Sequence, residues 1–234
     1  VINFNMKYFE TAQRLAQTAA TEWCSRIAGT ERPFTVALSG GRIANDFFKE
    51  MASRARDNKG IHHAHFFWAD ERCVPPDHAD SNYRVARELL FGPLQIAPSN
   101  VHRIRGEDEP ERAAATASQE LLQLAPTEET KPPRLDWVFL GMGEDGHVAS
   151  LFPEAVPYHG IYYDVIGPKP PSRRITLSYD VLAAAREVWV LASGKGKESA
   201  LRESLRQGGT TPLARVLQSR KKTDIFSDIF VKNP

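Results

Sequence analysis

The chain has 234 residues, 41% hydrophobic and 25% charged, which suits a globular protein long enough for a single α/β domain with one large core. Thirty Lys and Arg against 29 Asp and Glu leave a net charge of +1, which argues for neither a nucleic acid nor a membrane partner. No apolar run approaches ~20 residues, and Cys24 and Cys73 are too few and too scattered for a disulfide framework or a zinc site. The first ten residues lack a signal peptide's charged start and apolar centre, so a cytoplasmic enzyme is the expected class.

Tyr8, Ala12, Leu15, Ala16, Ala19, Trp23 and Ile27 keep helical spacing and predict a first helix, ended by Gly29. Phe34 to Leu38 reads as a strand, and Ser39-Gly40-Gly41-Arg42 turns into a second helix ending near Ala55. A strand, a Ser-Gly-Gly turn and a helix start offer backbone N–H groups and a positive dipole end to an anion, and Arg42 adds a charged fork. Taken alone, S-G-G also describes a bare tight turn. His65 to Trp68 is the next strand, with Asp70, Glu71 and Arg72 at its carboxyl end, either a solvated loop or part of a site. Ser81 should cap a helix running to Leu90 and stopped by Gly92-Pro93. His62, His63, His65, His78 and His102 show no ligand spacing. Another helix is predicted from Pro110 through Leu124, followed by a loop from Ala125 to Arg134.

Trp137 to Leu140 is a buried parallel strand followed by Gly141, Gly143 and Gly146 and then His147. Val148 to Phe152 is expected to begin a helix that stops before Pro153. His147 then lies at a strand's carboxyl end and near a helix N-terminus, which would keep its imidazole neutral and able to accept a proton. Asp145 could orient that ring or cap the helix. The three glycines also spell G-x-G-x-x-G. However, Pro153, Pro157, Pro168, Pro170 and Pro171 break the next segment, so a nicotinamide cofactor is rejected. The Pro153 to Pro171 segment shows no clear period. Arg174 to Leu177 and Val188 to Ala192 read as strands, and Ser193 to Lys197 leads into a helix ending at Gln207. Thr211-Pro212 caps another helix, and Asp224-Ile225-Phe226 is the last strand. The elements add up to an α/β fold: a doubly wound, mostly parallel sheet with helices on both faces, formed by residues 1–234 as a single domain.

Five stretches together carry a family likeness: L-S-G-G-R, W-A-D-E-R-C-V-P-P-D-H-A-D-S-N-Y-R, L-G-M-G-E-D-G-H-V-A-S-L-F-P, R-I-T-L and G-K-G-K. In order and spacing they resemble the motif set of the 6-phosphogluconolactonases. The resemblance implies hydrolysis of 6-phospho-D-glucono-1,5-lactone in the pentose phosphate pathway, by a fold shared with glucosamine-6-phosphate deaminases and without metal or organic cofactor. It implies that His147 is the general base, with Asp145 and Arg72 as catalytic partners. Ser39, Gly40, Gly41 and Arg42 match the phosphate loop, and Asp70, Arg174 and Lys197 match further substrate-binding positions. The expected partner is a small phosphosugar lactone, met by a monomer.

The chain departs from the family pattern in two places. Ile43-Ala44 stands where Thr-Pro is usual, which removes a hydroxyl donor, and Val148 replaces the Thr after the histidine. Two other readings share the fold. An amino-sugar-phosphate isomerase/deaminase should carry a glutamate soon after the histidine, where this chain has Ala149-Ser150-Leu151-Phe152-Pro153 and then Glu154. A non-catalytic sugar-phosphate-binding protein would normally bring a DNA-binding helix-turn-helix, which is not visible here.

Overall fold

In the computed structural model, which describes residues 2–125, 127, 131–156 and 158–231, the apolar runs become the strands of a parallel sheet. Its six strands are β1 (Phe4–Tyr8), β2 (Phe34–Leu38), β3 (Ala64–Trp68), β5 (Trp137–Gly141), β8 (Glu187–Ala192) and β9 (Thr223–Ser227), in the order β1-β9-β8-β5-β2-β3. All five residues of β2 are buried, as are those of β9. Helices cover the sheet on both faces, so β2 reads as a nearly continuous apolar run without alternation, while β9 buries Ile225 and Phe226 between polar ends. The sheet is flanked by α1 (Ala12–Ile27), α2 (Arg42–Arg54), α6 (Tyr179–Ala184), α7 (Glu198–Leu205) and α8 (Pro212–Ser219), while α5 (Pro110–Leu124) packs on a second, smaller sheet. An aromatic core binds helix to sheet: Phe139 meets the ring of Phe47 at 4.9 Å, Trp23 at 5.6 Å and Trp189 at 5.7 Å. Among the described residues no helix is long and apolar enough to cross a membrane.

A second, antiparallel sheet lies in the order β4-β7-β6, from β4 (Asp70–Arg72), β7 (Arg173–Leu177) and β6 (Tyr162–Ile166). Sequence periodicity does not reveal β6. It is part-buried and ends in exposed Ile166, so it carries neither a clean alternation nor an apolar run.

Two helix boundaries differ from expectation. Tyr8 belongs to β1, which pairs in register with β9 from Phe4↔Thr223 to Tyr8↔Ser227. The first helix starts only after Thr11, whose hydroxyl accepts from the Arg14 N–H at 3.2 Å. The helix capped by Ser81 is not stopped by Gly92-Pro93. It runs as α3 (Asn82–Ala86), widens into a π-turn at Arg87–Phe91 and closes in α4 (Gly92–Leu94). Pro93 follows the π-turn without ending the helix, and the chain leaves the helix at Gln95 with φ 52°. Pro157 and part of the Ala125 to Arg134 loop lie outside the described residues.

His65 and His102 are paired, with Nδ1 of the first 3.0 Å from Nε2 of the second. Burial, reinforced by His65, pulls the His102 pKa down to about 4 despite Glu120 at 3.9 Å. The unfolded chain therefore binds a proton that the folded chain refuses. The resulting stability is present above the unfolded histidine pKa, near 6.5, and is lost as pH falls toward 4. Thermal unfolding at pH 7 and pH 4.5 should show His102→Gln losing less stability than wild type, by on the order of 2 kcal/mol. Equal losses would mean that His102 does not contribute to this dependence.

Candidate active site

Because the strands of the main sheet are parallel, their carboxyl ends share one edge. The order reverses between β2 and β5, where such sheets leave a crevice. Ser39 to Arg42 follow β2, Gly143 and His147 follow β5, and Ser193, Gly194 and Lys197 follow β8; all line one cleft of ≈ 330 Å³. Asp70 and Arg72 reach the same cleft from β4, and Arg174 reaches it from β7, where it pairs directly with Arg72. Of the residues that the family likeness assigns to the site, only Asp145 does not line the cleft. It stands behind His147.

His147 sits on a turn closed by the Gly143 N–H to the His147 carbonyl at 2.9 Å and the Gly146 N–H to the Gly143 carbonyl at 3.1 Å. Asp145 Oδ1 accepts from the His147 backbone N–H at 3.1 Å and lies 2.5 Å from Nδ1. Burial raises the Asp145 pKa, but the His147 N–H and imidazole outweigh it and hold the carboxyl below its usual range. An ionised carboxylate can only accept, so Nδ1 carries a proton, and Nε2 is the nitrogen that holds the lone pair when the ring is the neutral imidazole. Of the two roles open to Asp145, the geometry is that of the ring's orienter.

The expected helix at Val148 to Phe152 is absent. These residues form a tight turn, with the Leu151 N–H on the Val148 carbonyl at 3.0 Å and Ala149 at φ 50°. Ser150 explains the difference: its N–H donates to Thr176 Oγ1 at 3.2 Å and its hydroxyl to Asp70 Oδ2 at 2.6 Å, fastening the turn to the second sheet. No helix begins at His147, so the dipole argument for its neutrality fails. Asp145 is what defines the ring's geometry.

Gly143 is needed for that geometry. A Cβ there would fall 2.1 Å from His147 Nδ1 and 2.8 Å from Asp145 Oδ1. Gly143→Ala should displace the ring from Asp145 and slow turnover at least ~10-fold, with little change in thermal stability. Wild-type turnover in this variant would show that the Asp145–His147 contact is dispensable.

The other side of the cleft is cationic. Gly41 caps α2 with φ 101° and no side-chain bond, leaving the helix start to backbone groups. Among the described residues, neither Arg42 nor Lys197 has an ion pair or side-chain hydrogen bond. Burial pulls the Lys197 ammonium below the usual lysine range and the Arg42 guanidinium pushes the same way, a strain that a bound anion between them would relieve. Ser39 Oγ and Arg72 Nε are also buried without a partner among the described residues. Lys195, by contrast, is exposed and away from the cleft. Burial likewise lowers the Arg174 pKa, and its Nε donates to the Pro171 carbonyl at 3.2 Å.

Asp46, Asn82 and Asp228 also line the cleft, and the sequence does not single them out. Asp228 directly follows β9, so the strand-end logic that finds His147 would have reached it. It accepts from Ser193 Oγ at 2.9 Å and the Gly194 N–H at 3.1 Å, steadying the turn before Lys197. Among the described residues no group of three or more His, Cys, Asp or Glu side chains is placed to hold a metal ion.

The chain belongs to the family of glucosamine-6-phosphate isomerases and 6-phosphogluconolactonases, whose model matches residues 10–225. Within that family its relatives include lactonases. It is 35% identical over 196 residues to the 6-phosphogluconolactonase of Treponema pallidum, covering 82% of this chain and 80% of the relative. It is also 35% identical over 198 residues to that of Haemophilus influenzae, covering 83% of each. Its backbone resembles the structure of 6-phosphogluconolactonase from Trypanosoma brucei with a TM-score of 0.83, at 27% identity and 97% coverage of both chains. The corresponding structure from Thermotoga maritima gives 0.80, at 26% identity and 96% and 98% coverage.

Proposed function

We propose that this cleft hydrolyses 6-phospho-D-glucono-1,5-lactone to 6-phospho-D-gluconate, as the lactonase relatives are named for doing. The observation that carries the reading is the pairing, across one cleft, of a carboxylate-oriented imidazole with two unpartnered cations. His147 Nε2 takes a proton from water, and the oxygen attacks the lactone carbonyl carbon. Arg72, with its buried and unpartnered Nε, and Arg174 offset the negative charge that gathers on the carbonyl oxygen. The bond from that carbon to the ring oxygen then breaks, and His147 returns the proton to the departing alkoxide. Arg42, Lys197 and the Ser39-Gly40-Gly41 loop hold the phosphate, and Asp70 faces the sugar.

The deaminase reading is less well supported. Glu154, the first glutamate after His147, is exposed and does not line the cleft. Parallel assays decide between the two: the chain should open the phosphorylated lactone and release no ammonia from glucosamine 6-phosphate. Ammonia release at a comparable rate would overturn the assignment. The proposal includes the whole chain acting as one unit, a monomer in the cytoplasm; the family match over residues 10–225 supports the single unit. Sedimentation of the purified protein checks the monomer.

A further inference from the structure

Glu71 stands between Asp70 and Arg72, yet it faces the other way. Alternation along β4 puts the two cleft residues on one face and Glu71 on the opposite one. Glu71 is 2% exposed, and among the described residues no lysine or arginine forms an ion pair with it. Its carboxylate instead collects four donors. Oε1 accepts from the backbone N–H groups of Arg72 and Asn82, each at 2.8 Å. Oε2 accepts from the Tyr83 N–H at 2.8 Å and the Ser81 hydroxyl at 3.1 Å. One side chain therefore ties both ends of the 72–83 loop together and occupies the start of α3.

Both ends of that loop enter the cleft. Arg72 holds its own loop through Nη1 to the Asp80 carbonyl at 2.6 Å, while its Nε is buried without a partner among the described residues. Asn82 Nδ2 donates to the Asp70 carbonyl at 2.8 Å, and the Asn82 side chain packs against the phosphate loop so closely that a Cβ on Gly40 would fall 1.9 Å from its Oδ1. We propose that Glu71 is a positioning residue for the reaction: without touching substrate, it sets Arg72 against the reacting carbonyl and Asn82 against the phosphate loop. Burial pushes the Glu71 carboxyl pKa up to about 7 against the three N–H donors that pull it down, so keeping this group here is costly unless the geometry it fixes is used. This inference rests on the lactonase reading.

The test is a double-mutant cycle on kcat/KM for the phosphorylated lactone. Glu71→Gln keeps the shape but replaces one acceptor oxygen with an NH2 that faces N–H donors. It should lower kcat/KM about 10–100-fold, mostly through kcat, while the purified protein keeps its circular dichroism spectrum. In an Arg72→Ala background the same change should lower kcat/KM less than about threefold further, because the residue set against the carbonyl, which carries the kcat effect, is already gone and only the smaller contribution of Asn82 at the phosphate loop remains. The full additional loss in that background would overturn the proposal, as would wild-type kinetics for Glu71→Gln. If Glu71→Gln does not fold, Ser81→Ala removes a single donor to the same carboxylate. It should show a smaller loss that again shrinks in the Arg72→Ala background, and an undiminished loss would count equally against the proposal. Failure of the lactonase reading would be distinguishable, since the wild-type chain itself would then not open the lactone.

Discussion

His147→Ala should fold normally and open the phosphorylated lactone about 10²–10⁴-fold more slowly than wild type. The ring is partly exposed on a surface turn, and its one side-chain hydrogen bond among the described residues is to Asp145, so its removal leaves the core intact. What disappears is the Nε2 lone pair that accepts the proton of water. The loss should appear in kcat with KM little changed, because His147 is not assigned to the phosphate. The measurement is initial rate with spontaneous hydrolysis subtracted. Turnover within a few fold of wild type would remove His147 from the mechanism.

The second large effect is expected at the phosphate anchor. Replacing Arg42 or Lys197 with Ala removes a charge-assisted bond worth roughly 1.5–3 kcal/mol, about 10–150-fold in affinity. Phosphate lies far from the reacting carbonyl, so most of this should appear in KM, with some loss of kcat if the anchor also positions the ring. The two cations face the same space, and burial and mutual repulsion already depress Lys197, so the double variant should be less than additive. The comparison that isolates the phosphate uses unphosphorylated glucono-lactone alongside the natural substrate. Both single variants should lose activity on the phosphorylated lactone and little on the other. Equal proportional losses on both would mean that the phosphate is held elsewhere.

Much of this site can be read from sequence because a parallel sheet converts strand ends into neighbours. Phe34–Leu38, Trp137–Gly141 and Glu187–Ala192 are apolar runs ended by glycine-bearing turns, and the residues after each meet in the cleft. The second sheet is less legible, since β4 is three residues long and β6 carries mixed burial. Without it, Arg174 and Arg72 are two unrelated arginines; with it, they are a cross-strand pair. The failure at Val148 to Phe152 has a similar origin. Ser150 is polar and looks at home in a helix's first turn, but its partners Asp70 and Thr176 lie 80 and 26 residues away. Those contacts override local preference, and no window of sequence contains them. β1 is hidden because Tyr8 and Ala12 happen to fall four residues apart, while its pairing partner is the last strand of the chain.

In the proposed mechanism an imidazole, oriented by a carboxylate, activates water for a lactone whose phosphate sits across the cleft. The sharpest test is the initial rate of 6-phospho-D-glucono-1,5-lactone opening by the wild-type chain after exhaustive chelation, measured above the spontaneous rate. Turnover should survive chelation undiminished, because the imidazole and not a metal ion prepares the water. No rate above the spontaneous one, or a rate lost on chelation and restored by zinc or magnesium, would contradict this mechanism.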